Sequence, residues 1–141
     1  MASTLELEVS TPERLLIREN VKEVQIPGEE GYLGVLPEHA PLLSRLGYGV
    51  MWYVSESGER KYLSVAAGFL EVLPDKVRIL ADRAEPATEI DVERARFALE
   101  RAQSRIANPA VGIDIARALS AARRAQARLA AAGYTNGVMN R

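Results

Sequence analysis

The sequence predicts an α+β protein: an N-terminal antiparallel β-sandwich of about ten strands, followed by a C-terminal antiparallel two-helix hairpin. Up to Ala84, short apolar segments recur at roughly 8–12-residue spacing between Gly, Pro and polar turns, which is typical of a sandwich or barrel. After Ala84 the apolar spacing changes to alternating steps of three and four, the period of a helix. The charge balance also changes sign between the two parts, which indicates two functional units.

The predicted strands are short and follow one another closely. The first alternates Leu5, Leu7 and Val9 with Glu6 and Glu8, the period of a half-buried strand. Glycine and proline pairs such as Pro27-Gly28 separate the later segments. The predicted strands are Thr4–Ser10, Leu15–Glu19, Val21–Ile26, Leu33–Leu36, Leu42–Leu46, Val50–Val54, Lys61–Ala67, Phe69–Leu73 and Val77–Ala84.

Two helices are predicted after the sandwich. In the first, Thr88 is the expected N-cap, and the apolar stripe is Val92, Ala95, Leu99, Ala102 and Ile106, which ends before Asn108-Pro109. The second begins between Pro109 and Asp114 and ends near Ala132-Gly133, where Gly133 suits a left-handed cap. Its expected stripe is Ile115, Leu119, Ala122 and Leu129. The domain prediction is therefore a sandwich over 1–86, a hairpin over 87–133 and a disordered tail over 134–141.

The two parts differ in charge and in the size of their apolar side chains. Residues 1–86 contain 9 basic and 14 acidic residues, whereas residues 87–141 contain 9 basic and 5 acidic residues, and every base after Lys76 is arginine. The helices are rich in alanine, which buries little area per residue, so we expect a weakly held hairpin that docks or extends. Uniformly slow hydrogen exchange through both helices would contradict this.

Few residues suggest catalysis. Cysteine is absent and His39 is the single histidine, which argues against disulfides and against Cys- or His-based metal sites. No phosphate-binding loop, nucleophile elbow or His-Glu-x-x-His pattern occurs. His39 could act as a catalytic base, but a surface or interface histidine is the favoured interpretation. Glu29-Glu30 could act as an acid/base pair, but a solvated turn is favoured. The chain is predicted to be no enzyme. It has no signal-peptide pattern and no apolar run approaching the ~20 residues of a membrane span, so a cytoplasmic location is expected.

The arginines of the helices leave two interpretations open. Arg94 and Arg101 share one helix face, and the second helix carries an arginine face of its own at Arg117, Arg124 and Arg128. Two such faces meeting in a hairpin would make an anion site suited to phosphate. The alternative is a solvated surface with i,i+3 pairs, namely Asp91–Arg94, Glu93–Arg96 and Asp114–Arg117.

Several segments in order resemble the epsilon subunit of bacterial F-type ATP synthases, which corresponds to delta in mitochondria. The most specific is Gly-Tyr-Leu-Gly-Val-Leu-Pro-Glu-His-Ala-Pro-Leu, over residues 31–42. The others are Leu7–Pro12, Ala67–Val72, Val77–Ala81 and Ile90–Ala95. The resemblance covers residues 4 to about 132 and implies the same sandwich and hairpin.

The resemblance implies a rotor subunit in the central stalk, on the cytoplasmic face of the bacterial plasma membrane, attached to the membrane only through the complex. The expected partners are the gamma subunit, the ring of c subunits and, when the hairpin extends, the alpha/beta catalytic head, whose ATP hydrolysis the hairpin would inhibit. The c-ring and gamma contact loop would include Glu30, Gly31, Tyr32, Glu38 and His39. Two positions depart from the family pattern. Some members have an acidic residue at the position of Tyr32, and the family has a glycine at the position of Ala67, where a bulge is expected.

No cofactor is required, but in some bacterial members ATP binds the folded hairpin as a regulatory ligand. The residues that the resemblance assigns to such a site are Glu85, Ile90, Asp91, Arg94, Ala95, Arg101, Arg124 and Arg128. Asp91 also suits a helix cap, and the two roles are compatible. Two alternatives are a coupling subunit whose hairpin regulates nothing, and a sandwich module whose basic hairpin binds nucleic acid, although no groove-reading motif appears.

Overall fold

The computed structural model describes residues 3–135, which form six strands, one short 3-10 helix and two α-helices. The strands are β1 (Leu5–Ser10), β2 (Leu15–Gly28), β3 (Gly31–Val35), β4 (Leu42–Ser55), β5 (Arg60–Leu73) and β6 (Lys76–Pro86). The 3-10 helix is Ala87–Glu89, and the α-helices are α1 (Val92–Ala107) and α2 (Ile115–Thr135).

The sheet closes on itself, because β1 pairs with both β6 and β2. The order is β1-β6-β5-β4-β2-β3. The first half of β2 pairs with β1, with Leu5 opposite Val21, and the second half pairs with β4, with Val24 opposite Tyr53. The predicted sandwich followed by two helices is confirmed, although the β1–β6 pair is parallel rather than antiparallel.

One apolar core fills the interior of the sandwich. Alternate residues of each strand point inward, so the Leu5, Leu7 and Val9 side chains are buried while Glu6 and Glu8 lie on the outer face. The core residues are Leu5, Leu7, Val9, Val21, Val24, Ile26, Val35, Leu46, Met51, Tyr53, Leu63, Val65, Leu70, Val72, Val77, Ile79 and Ala81. All of them belong to strands, so the helices are not part of this core.

The strands of the described chain are fewer and longer than predicted, because glycines and polar residues inside β2, β4 and β5 bend the strands without ending them. At Gly47 an added Cβ would lie 2.8 Å from the Gly28 carbonyl oxygen, so this glycine permits a close backbone approach inside β4. In β5, Ala67 and Gly68 have φ of 61° and 122°. The pairing with β4 keeps one register on both sides of them, so the strand bends there without the expected bulge.

The ends of both helices differ from the prediction. Thr88 lies in the 3-10 helix, and the N-cap of α1 is Asp91, whose Oδ1 accepts a hydrogen bond from the Arg94 amide at 3.0 Å. Helix α2 begins at Ile115, one residue after the predicted range, and the Asp114 side chain accepts a hydrogen bond from the Arg117 amide at 3.1 Å. However, α2 continues through Gly133 to Thr135, so Gly133 is not a left-handed cap. Of the predicted tail, residues 134 and 135 are helical and residues 136–141 lie outside the described chain.

The hairpin lies on the sandwich through α2, which contacts β4 and β5, while α1 packs on α2. Alanines form most of the buried surface of α2, and Ile115 and Leu119 of the predicted stripe are exposed instead. A second apolar cluster joins α2 to the sandwich through Val50, Ala87 and Ala131, with Tyr62, Ile90, Ala130 and Tyr134 packed around it. The rings of Tyr62 and Tyr134 stack at a centroid distance of 4.2 Å.

Candidate functional site: a basic cavity between the hairpin and the sandwich

A cavity of about 1010 Å³ lies between the two helices and the sandwich. Its walls come from the turn between β1 and β2, the middle of β5, the C-terminal part of β6 and the facing surfaces of α1 and α2. Tyr48 of β4 and Glu89 of the 3-10 helix complete the lining. Because both the sandwich and the hairpin contribute walls, the cavity exists in this form only while the hairpin is docked.

Arginine dominates the charged lining of the cavity. Seven arginines line it against four acidic residues, so it carries a net positive charge suited to an anion. The arginines are Arg14, Arg83, Arg94, Arg101, Arg105, Arg124 and Arg128, and the acids are Glu13, Asp82, Glu85 and Glu89.

Only two of these arginines pair with an acid of the cavity. The Arg128 Nε donates to Glu85 Oε1 at 2.8 Å, which ties α2 to β6. The Arg14 Nη2 lies 3.8 Å from Glu89 Oε1. Within residues 3–135, the guanidinium groups of Arg101, Arg105 and Arg124 make no ion pair, so they are available to a bound anion.

Small side chains separate the arginines. Ala98 and Ala102 lie between the arginines of α1, and Ala121 and Ala125 flank Arg124 on α2. On the sandwich side, Ala66, Ala67 and Ala84 line the cavity. These methyl groups leave space for a ligand with a flat apolar part, and the guanidinium groups around them suit phosphate oxygens.

The structure brings five of the eight predicted nucleotide-binding residues to this cavity, namely Glu85, Arg94, Arg101, Arg124 and Arg128. The other three lie outside its lining. Ile90 packs in the second apolar cluster, Asp91 caps α1, and Ala95 is fully buried. Arg117 was predicted to share a helix face with Arg124 and Arg128, but it is exposed and does not line the cavity.

Sequence reasoning missed several lining residues. Arg105 is one helical turn after Arg101, so its spacing carried a usable signal. Arg14 and Tyr48 lie far from the helices in the chain, and only the folded sheet brings them to the cavity, whereas Arg83 is two residues before Glu85 on β6.

The predicted contact loop lies at the turn into β3 and in the segment that follows β3. Glu30 is in the exposed turn before Gly31, which has φ of 139°, and Tyr32 is exposed on β3. Glu38 has φ of 68° and its amide donates to the Pro74 carbonyl at 2.6 Å. The His39 Nδ1 donates to the Ala40 carbonyl at 2.7 Å, so the loop is held by this local hydrogen bond and by the bond to the β5–β6 turn.

The outer face of the sandwich that the hairpin does not cover carries exposed apolar side chains. Phe69 on β5 pairs across the sheet with Leu80 on β6, and both are half exposed. Leu43 on β4 is 74% exposed, and the Arg45 guanidinium lies 5.5 Å from the Phe69 ring centroid. We call Leu43, Phe69 and Leu80 the outer apolar patch, and large exposed apolar side chains in one region mark contact surfaces.

A ladder of ion pairs borders the outer apolar patch. The Arg78 Nε donates to Glu8 Oε2 at 3.0 Å, and its Nη1 lies 3.5 Å from Glu71 Oε1. The Lys76 Nζ lies 3.2 Å from Glu6 Oε1. Apolar side chains beside paired charges are typical of a protein interface with a polar rim.

Residues 3–135 contain neither a helix that could span a membrane nor a cluster of metal-ligating side chains. No helix in that range has both the length and the apolar composition to cross a membrane. No group of three His, Asp or Glu side chains in that range is arranged to hold a metal ion.

Comparison with known families matches both parts of the chain. Residues 4–87 match the family described as ATP synthase, Delta/Epsilon chain, beta-sandwich domain. Residues 88–133 match the family described as ATP synthase, Delta/Epsilon chain, long alpha-helix domain. The boundary between the two matches falls inside the 3-10 helix that joins the sandwich to the hairpin.

Relatives with closely similar sequences cover most of the chain. The ATP synthase epsilon chain of Solibacter usitatus is 60% identical over 108 residues, which are 77% of this chain and 80% of that protein. The ATP synthase epsilon chain of Koribacter versatilis is 52% identical over 106 residues, which are 75% of this chain and 74% of that protein.

Solved structures share the fold. A chain of the Euglena gracilis mitochondrial ATP synthase, solved as OSCP, F1 and c-ring, aligns with a TM-score of 0.79 and 25% identity over 89% of this chain and 79% of that one. A chain from the central stalk and c-ring of the Tetrahymena thermophila enzyme aligns with a TM-score of 0.52 and 14% identity over 96% of each chain, which supports the fold alone.

Proposed function

This chain belongs to the delta/epsilon chain family of ATP synthase, and from that premise we propose that it is a non-catalytic rotor subunit that joins the catalytic head to the membrane c ring. Its place would be the central stalk, on the cytoplasmic face of the bacterial plasma membrane. Coupling of this kind needs contact surfaces on the sandwich, not a reaction centre.

The outer apolar patch supports binding to the gamma subunit. Leu43, Phe69 and Leu80 are exposed on one face of the sandwich that the hairpin leaves uncovered. The contact loop around Tyr32 and His39 supports binding to the c ring, because it is exposed and held in shape by backbone hydrogen bonds.

Gamma binding is tested with Phe69→Asp in the full chain. The substitution removes the apolar ring and places a charge in the contact, so we expect binding to purified gamma to weaken at least tenfold. Val111→Asp, in the fully exposed turn between the helices, is the matched control. Equal gamma affinity for both variants and the unchanged chain would place the gamma contact elsewhere.

The hairpin is proposed to inhibit ATP hydrolysis by extending toward the alpha/beta head. Its contact with the sandwich depends mainly on alanines and one aromatic stack, a small apolar area for 21 residues of α2. Its surface is rich in arginine, which would steer it to acidic partners. In a reconstituted complex, deletion of residues 88–141 should raise ATP hydrolysis several-fold. Unchanged hydrolysis would support the alternative of a coupling subunit without regulation.

ATP is the proposed regulatory ligand of the basic cavity. The observation that carries this proposal is that three arginines of the two helices face one cavity whose other wall is the sandwich. These are Arg101, Arg105 and Arg124, which make no ion pair within residues 3–135. A polyphosphate bound there contacts both parts, so it stabilises the docked form by population shift.

Calorimetric titration with ATP, with and without Mg²⁺, tests the site. We expect saturable binding by the unchanged chain and at least a tenfold loss of affinity in Arg124→Ala, because charge-assisted hydrogen bonds to phosphate are strong. Arg117→Ala is the control, since Arg117 lies on the same helix outside the cavity. No heat up to millimolar ATP would refute the nucleotide site while leaving the coupling role intact.

A further inference from the structure

Arg14 enters the basic cavity from a part of the chain far from the helices. It lies in the turn between β1 and β2, where the Thr11 amide donates to the Arg14 carbonyl at 2.9 Å. This hydrogen bond closes the turn and directs Arg14 to the same cavity that Arg94, Arg101 and Arg124 line from the hairpin. Arg14 is thus a cationic group that the sandwich contributes at the edge of the proposed site.

The present partner of Arg14 holds it weakly. Its Nη2 lies 3.8 Å from Glu89 Oε1, well beyond the roughly 2.7–2.9 Å of a charge-assisted N–H···O⁻ bond. The two side chains are 62% and 59% exposed, so water screens their attraction. By contrast, Arg128 and Glu85 are 2.8 Å apart and less than one-third exposed. The Arg14 guanidinium therefore lies near the cavity with most of its hydrogen-bonding capacity unused by Glu89.

We infer that Arg14 is a further phosphate-binding residue, one that contacts the polyphosphate of the bound nucleotide from the sandwich side; this inference rests on the proposed nucleotide site. A phosphate offers the planar guanidinium two parallel hydrogen bonds, which the distant Glu89 carboxylate does not. Phosphate therefore replaces Glu89 as the partner of Arg14. Glu89, which lines the same cavity, repels the anion and opposes binding.

This role explains how one ligand holds the two parts of the chain together. Glu89 is in the 3-10 helix that leads from β6 to α1, whereas Arg14 is fixed to the β1–β2 turn. A polyphosphate that bonds Arg14 on one side and Arg124 on the other connects the sandwich directly to α2. The hairpin can then leave the sandwich only if the polyphosphate loses its contact with either Arg14 or Arg124.

The test is titration of the full chain with ATP, using variants of the two partners. Arg14→Ala should raise the dissociation constant about tenfold, because it removes a phosphate contact. Glu89→Gln should lower the dissociation constant severalfold, because it removes a repelling charge and releases Arg14. Arg18→Ala is the matched control: Arg18 is 58% exposed, pairs with Glu6 and Glu8, and lies outside the cavity lining.

The opposite signs separate ligand binding from a structural role. If the Arg14–Glu89 pair only held the 3-10 helix against the β1–β2 turn, loss of either partner would weaken ATP binding alike, and that result overturns the inference. ATP binding that is unchanged in Arg14→Ala also overturns it, while leaving the proposed site intact. No binding by the unchanged chain would refute the site and the inference together. Thermal denaturation of each variant verifies folding, and Arg14→Lys should bind between the unchanged chain and Arg14→Ala, since lysine keeps the charge without the planar fork.

Discussion

Two consecutive residues of β5, Ala67 and Gly68, have backbone angles that side chains resist. Ala67 has φ of 61°, and Gly68 has φ of 122°. An added Cβ on Gly68 would lie 2.0 Å from the Leu80 carbonyl oxygen, so β6 leaves no space for a side chain there. The bend at this point separates the first half of β5, where Tyr62 contacts α2, from the second half, which carries the exposed Phe69, and the basic cavity lies beside it.

Ala67→Gly is expected to stabilise the protein. The left-handed conformation costs an L-residue about 1–2 kcal/mol, and glycine loses about 0.5–1 kcal/mol through its freer unfolded chain, so the free energy of unfolding should rise by about 0.5–1 kcal/mol. Gly68→Ala should lower it by about 3–5 kcal/mol through backbone overlap and strain.

Denaturant titration measures both changes. Gly34→Ala is the control, because its added Cβ meets nothing within 4 Å, and its effect should stay within about 0.5 kcal/mol. A destabilising Ala67→Gly, or a Gly68→Ala as mild as Gly34→Ala, would contradict this account of the bend.

The buried hydroxyl of Tyr53 makes stability depend on pH in the alkaline range. Burial raises the pKa of Tyr53 well above its usual value of 10.0, and the nearby Glu19 carboxylate, which accepts its hydrogen bond at 3.1 Å, raises it further. The folded state therefore retains a proton that the unfolded state loses. The stabilisation that depends on the Tyr53 hydroxyl proton is fully present below pH 10 and is lost as the pH rises above 10.

We expect the free energy of unfolding to fall by up to about 1.4 kcal/mol for each pH unit above 10 because of this residue. Tyr53→Phe should be less stable at neutral pH, since the hydrogen bond is absent, but should show a shallower decline between pH 10 and 11. Denaturant titrations at several pH values give both slopes, and equal slopes would rule out Tyr53 as the cause.

At the scale of elements, α2 is attached to the sandwich by few large side chains. The Tyr62–Tyr134 stack lies at its C-terminal end. Near the middle of the helix, the Arg123 guanidinium lies 4.2 Å from the Tyr48 ring centroid. Between them the contacts are mainly alanine. Loss of one aromatic contact should therefore change docking more than loss of any single alanine methyl group.

Tyr134→Ala should release the hairpin without unfolding the sandwich. Aromatic pairs contribute about 0.5–1.5 kcal/mol beyond their buried area, so amide hydrogen exchange in α1 and α2 should become roughly threefold to tenfold faster. Exchange in β1 and β6 should be unchanged. Phe97→Ala, an exposed aromatic on α1, is the control, and equal exchange rates in both variants would show that the stack does not hold the hairpin.

At the scale of the whole molecule, the protein has two apolar cores of unequal size. The larger consists of strand residues alone, and the smaller joins α2, the 3-10 helix and the outer side of β4 and β5. The sandwich therefore contains a complete apolar core of its own and should fold without the helices, whereas the hairpin depends on the sandwich surface for its packing. This arrangement suits an appendage that docks and undocks.

A fragment of residues 1–87 should fold by itself and unfold in one cooperative transition. Because its core is complete, Leu7→Ala should lower its stability by about 2–5 kcal/mol, as in the full chain. Thermal and chemical denaturation followed by circular dichroism measure this. A fragment without a cooperative transition would show that the hairpin is part of one folding unit with the sandwich.

The sequence by itself determined the division into sandwich and hairpin, because periods of two and 3.6 residues are local properties of the chain. It also grouped Arg94 with Arg101 and Arg124 with Arg128, all of which line the cavity, but it added Arg117, which does not, and omitted Arg105, which does. It did not determine the number of strands, since Gly47 and Gly68 resemble strand ends in sequence but support close backbone approaches inside long strands. Similarly, Thr88 and Asp91 both suit a helix cap, but Thr88 is part of the 3-10 helix and Asp91 caps α1.

Only the tertiary structure decided the composition of the basic cavity. Arg14 and Arg105 are 91 positions apart in the chain, and they line one cavity because closure of the sheet and docking of α2 bring the first turn beside the hairpin. The same docking decided that alanines, and not Ile115 and Leu119, form the buried face of α2, since the short side chains allow close approach of helix and sheet. Local spacing specifies the elements, whereas contacts between distant segments specify the site.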